Sequence, residues 1–189
     1  MVDGLEGDER HCCWPVYQLG QLGDACDAAK AANKYLFIWD KQGSVGTFMQ
    51  YQGMLASMGP EIVKVALGQQ DNAAVGEFVR KSFVNGMRQG AKLCIDLENA
   101  KPTWNAFESE GTYSNQFWDW EWMSQETNYL PLVREDERYG IDGVVTGHFA
   151  RMPNFQCIVR SGVTSEEDAM EVYNNIPFFT TSFHHVIIE

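Results

Sequence analysis

A chain of 189 residues, 44% hydrophobic and 21% charged, has the length for one well-buried domain and a composition that excludes wholesale disorder. Its 26 acids against 14 bases set the formal charge at −12, which argues against nucleic acid or anionic membrane as a partner and favours a basic protein surface. No apolar run approaches the roughly 18 residues of a membrane helix and no basic-then-apolar leader opens the chain, so a soluble cytoplasmic protein is expected.

Residues 1–13 carry Asp3, Glu6, Asp8 and Glu9 and read as a flexible acidic tail; residues 14–189 read as a single α/β domain. His11, Cys12, Cys13 and Cys26 lack the paired spacing of a tetrahedral zinc site, and five cysteines without a framework argue for reduced thiols, so no metal is expected. Residues 24–33 are alanine-rich and predict a short helix with Asp24 as its N-cap. The run from Tyr35 to Met49 reads as an apolar strand that ends in a glycine turn and opens into a helix, with helical character over 47–58 ended by Gly59-Pro60. Strand, glycine loop and helix amino terminus are the parts from which α/β proteins build a phosphate cradle. Lys41, Gly43, Gly46 and Thr47 are its candidate nucleotide-binding residues. The lysine of a G-x-x-x-x-G-K-[ST] loop is missing, because Thr47 follows Gly46 directly. The loop therefore reads either as backbone amides around a phosphate or, preferably, as a tight β-to-α turn.

Residues 61–67, β-branched and apolar, predict a second strand; residues 73–89 have the clearest helical periodicity and stop at Gly90. A third strand over 92–98 delivers Asp96 and Glu98 at its carboxyl end, as magnesium and base groups or as solvated caps. Residues 102–133 then hold Glu108, Glu110, Asp119, Glu121 and Glu126 with no Lys or Arg. The centre of this stretch is Phe117-Trp-Asp-Trp-Glu-Trp122, whose alternation predicts a half-buried strand or an anchoring loop. Phe117, Trp118, Trp120 and Trp122 are candidate interaction residues, with a local mini-core as the equal alternative. The whole insertion, 102–153, is longer than an ordinary connection and includes an expected hairpin or extended piece over 143–149. A fourth strand over 155–160, a helix opening at Thr164-Ser-Glu-Glu-Asp168 and a fifth strand over 183–188 complete the chain. Cys94 and Cys157 read as strand core, and His184 and His185 as one buried and one exposed residue on alternate faces.

The order of these signals resembles a P-loop ATPase core of the AAA+ kind. More narrowly, Asp40-Lys-Gln-Gly43, the run from Phe83 to Asn99 and a sensor-like strand from Asn154 to Ser161 resemble the fifth, degenerate AAA module of dynein heavy chains. The resemblance implies a three-layer α-β-α sandwich around a mostly parallel five-stranded sheet of order 5-1-4-3-2, with the aromatic insertion between strands 3 and 4. It also implies a ciliary, axonemal or microtubule-associated setting. Two departures, Asp96-Leu97-Glu98 in place of an adjacent acidic pair and no helical lid after the fifth strand, argue against hydrolysis. The expected function is a non-catalytic structural or interaction protein with protein partners, no catalytic residues and no cofactor. The alternatives are a regulatory nucleotide-binding protein or weak ATPase taking ATP or ADP with magnesium, and a catalytically dead thioredoxin-like domain, whose sheet would be mixed.

Overall fold

The structure, a computed structural model, describes residues 14–138 and 147–189. The expected tail over 1–13, with His11, Cys12 and Cys13, and residues 143–146 of the expected hairpin lie outside them.

The apolar runs form six strands: β1 Val16–Tyr17, β2 Tyr35–Asp40, β3 Met54–Ser57, β4 Lys92–Asp96, β5 Gln156–Ser161 and β6 Phe183–Ile188. Their order is β1-β6-β2-β5-β4-β3, and every pairing in the sheet is parallel. Among the described residues the sheet therefore has six strands and not five. Counted from β2, the longer strands run fifth, first, fourth, third, second, and the two-residue β1 is added at the edge beside β6. Among the described residues the sheet contains no antiparallel pair, so it is not the mixed sheet of a thioredoxin fold. All residues of β2 and β5 are buried, as central strands covered on both faces should be.

The period of two divides the side chains between two cores. Leu36, Ile38, Cys94, Ile158, Val186 and Ile188 pack under helices α1 (Leu22–Ala31) and α2 (Ser44–Gln52). Tyr35, Phe37, Trp39, Ile95, Val159 and Phe183 pack on the other face, beneath α4 (Asn72–Gln89), α7 (Glu166–Asn175) and the insertion. Between α2 and α4 lies α3 (Met58–Ala66).

Three predicted elements are corrected. Residues 61–67 are helical for all but the last, in α3, and the strand is the preceding Met54–Ser57. Gly59-Pro60 starts this helix and does not end one: in the first turn the missing proline N–H would have no partner anyway. Gly53 ends α2 early, because a Cβ there would lie 2.5 Å from the Lys92 carbonyl oxygen of β4. Phe117–Trp122 is likewise no strand. A 3-10 turn covers Asn115–Trp118 and a short helix, α5, covers Trp120–Ser124, with α6 (Glu126–Tyr129) after it. Asp119 turns the alternating pattern into a helix start, since its carboxylate accepts from the N–H groups of Glu121 and Trp122 at 3.0 and 3.2 Å. The insertion is bound to α4 by Arg80, a fully buried side chain that reaches Glu77, Glu137 and the Leu132 carbonyl.

Candidate functional site

Three neighbouring strands carry a charged residue at or next to the carboxyl edge of the sheet, where open α/β folds bind ligands. Asp40 closes β2 and Asp96 closes β4. Arg160, one residue before the end of β5, lies between them; the register sets it level with Ile38 on one side and Asp96 on the other. Alternation then puts Asp40, Arg160 and Asp96 on one face, the face covered by α2.

The three side chains are buried, at 1%, 7% and 5% exposure for Asp40, Arg160 and Asp96. Arg160 Nε and Nη2 both meet Asp40 Oδ2 at 2.9 Å, and Nη1 donates to Asp96 Oδ1 at 2.8 Å. Asp40 has a second set of donors: the N–H of Ser44 reaches Oδ1 at 3.2 Å and that of Val45 reaches Oδ2 at 2.9 Å. These amides open α2 and form the positive end of the helix. The same Asp96 oxygen that meets Arg160 also accepts from the Glu98 N–H at 2.9 Å. Burial opposes the charged form of Arg160, but hydrogen bonds and ion pairs with Asp96 and Asp40 outweigh it and raise its pKa.

The cluster brings together only part of the predicted nucleotide site. Gly46 and Asp96 do meet, because a Cβ at Gly46 would lie 3.0 Å from Asp96 Oδ2 and 3.8 Å from the guanidinium. Gly43 caps α2 with a left-handed φ of 73°, a conformation that glycine adopts without a Cβ penalty. Lys41 is drawn away to Glu189, at 2.6 Å, with its ammonium 4.8 Å from the Trp39 ring centre. Thr47 is exposed. Glu98 lies beyond the end of β4 at a φ of 52°, which separates it from Asp96. A Cβ on Gly59 would come within 2.6 Å of its carboxylate.

The predicted interaction residues divide into two pairs. Phe117 and Trp118 have no exposed surface and so cannot meet a partner. Trp118 Nε1 donates to the Tyr113 hydroxyl at 2.6 Å, and its ring packs edge-on against Trp104 and Phe83. Trp120 and Trp122 are half-buried against the same core.

The remaining candidates carry little reactivity. Burial pushes the thiols of Cys94 and Cys157 up, the opposite of an activated nucleophile. His184 and His185 are both half-buried, not one in and one out. Among the described residues no three His, Cys, Asp or Glu side chains form a metal site, and no helix is long and apolar enough to cross a membrane.

Comparison with protein-family models, with curated proteins and with solved structures found no match. The residues that sequence reading missed are Asp40 as a helix-capping carboxylate and Arg160 as its partner. Their signal was present: three apolar strands carry Asp40, Asp96 and Arg160 at or next to their carboxyl ends, charges that only strand order brings into contact.

Proposed function

We propose that the protein is a non-catalytic structural or interaction component, built on a nucleotide-binding type of fold whose phosphate position is filled by its own side chains. The observation that carries this reading is Asp40. Its carboxylate takes the Ser44 and Val45 amides that a phosphate would need, while Arg160 ties it to Asp96, the candidate magnesium ligand. A nucleotide would have to displace a buried anion from a helix end and break two charge-assisted contacts, with no loop lysine to compensate. Kinship with the degenerate dynein module, and a protein partner in a ciliary or axonemal setting, belong to this proposal on the sequence resemblance alone; the strand order counted from β2 supports only the broader P-loop type of fold.

A second reading, nucleotide binding that regulates the protein, is favoured by the left-handed Gly43 and the α2 amides at the carboxyl edge of the sheet. Isothermal titration of the wild-type chain with ATP and with ADP, each with and without magnesium, separates the two. The proposal predicts no saturable heat at millimolar nucleotide. Micromolar affinity that depends on magnesium would replace it with the second reading.

A further inference from the structure

At the opposite, amino-terminal edge of the sheet lies a groove of about 700 Å³. Its walls come from segments far apart in sequence: Asp119, Trp120 and Glu121 at the start of α5, and Phe178 and Thr181 in the stretch before β6, with Asn33 ahead of β2. The Trp120 N–H donates to Ser182 Oγ at 3.0 Å and joins the two walls. Phe178 is 36% exposed and sits at a φ of 58°, a left-handed conformation that bulky residues rarely adopt. The groove thus sets a half-buried indole and an outward phenyl ring beside two carboxylates. Its lining contains no Lys, Arg or His; the Arg151 guanidinium lies 6.0 Å from the Trp120 ring centre. Asp119 spends Oδ1 on capping α5. Glu121 is exposed.

We propose that this groove docks a basic segment of a protein partner, with an Arg or Lys side chain lying between Trp120 and Phe178 and its charge directed at Asp119 and Glu121. The proposal rests on the interaction-protein reading and gives the partner a chemistry. Aromatic faces attract a cation and cover its alkyl stem, while carboxylates supply the ionic contact. The overall charge of −12 steers a basic segment toward the molecule, and the aromatic walls make the groove a better seat than the rest of an acidic surface.

Fluorescence anisotropy with a labelled peptide of repeated Arg-Gly-Lys units, and an acidic peptide of repeated Glu-Gly-Asp units as control, tests this. The wild-type chain should bind the basic peptide and not the acidic one. Glu121→Lys and Trp120→Ala should each weaken binding about tenfold, while Asp27→Lys, an exposed position on α1, should leave it near the wild-type value. Circular dichroism checks that each variant is folded. Should Trp120→Ala unfold, Phe178→Gly removes the other ring at a φ that glycine takes freely and should show the same loss. Absence of binding by the wild-type chain, or an equal loss from Asp27→Lys and Glu121→Lys, would overturn the groove proposal. The interaction reading itself stands or falls on the nucleotide titration, so the two failures are distinct.

Discussion

Arg160 satisfies two buried carboxylates at once, so its removal has a direction and a size that can be stated. Arg160→Met leaves Asp40 and Asp96 with no counter-charge, although the α2 amides still serve Asp40. Breaking a buried pair in this way costs about 3–5 kcal/mol, measurable as a lower urea midpoint with an unchanged slope. Adding Asp96→Asn should recover part of the loss, because the uncompensated charge is then gone. An Arg160→Met variant as stable as wild type would show that the cluster contributes nothing net to folding. Of the three residues, only Asp96 was legible in the sequence as a strand-end group. Their meeting was not: the bonds join residues 120 and 64 positions apart, and only the order and register of the sheet bring them within hydrogen-bond reach.

At the scale of elements, the insertion is an internal layer as much as a surface feature. Trp118 sits among Trp104, Phe83 and Phe183, so Trp118→Ala should destabilise by about 3–5 kcal/mol as a large-to-small core substitution. Half-buried Trp122 should cost clearly less on truncation. Urea unfolding of the two single variants makes the comparison, and equal losses would contradict the division of the aromatic cluster into core and surface. The helix over 72–89 was legible because its periodicity is long, with Asp71 capping the Ala74 N–H and Gly90 closing it at a φ of 62°. Short runs were not. The β-branched stretch over 61–67 fits a strand by composition, but Ile62 and Val65 pack inward while Val63 and Leu67 stay exposed, the spacing of a helix face. In Trp-Asp-Trp-Glu-Trp the alternation that predicts a strand was overruled by one carboxylate capping two amides.

For the molecule as a whole, the histidines of β6 are expected to contribute to the response to mild acid. Burial first, and Lys34 after it, hold His184 below the ordinary imidazole value; burial, His184 and Lys34 do the same for His185. His185 Nδ1 lies 3.0 Å from the Tyr173 hydroxyl, and its ring is tilted against Trp14. The unfolded chain therefore binds protons more readily than the folded one. The stability tied to these groups is complete above the unfolded value of about 6.5 and is lost as pH falls toward the lower folded values. Thermal melts should drop between about pH 7.5 and 5.5, and His185→Gln should flatten that drop. Glu77 and Glu137, held low mainly by hydrogen bonds to Arg80, act in a separate window, at and below about pH 4.5. A flat profile down to pH 5 would show the β6 histidines to be energetically silent.

The carboxylate at the head of α2 also governs how the fold answers to its surroundings. A protein whose cradle takes an external anion gains stability by mass action as that anion accumulates and loses it when supply runs short. Here the anion is Asp40, covalently part of the strand that precedes the helix. Its effective concentration never changes. Under the proposed reading the chain is permanently in its loaded form, and its stability does not follow the supply of any external anion.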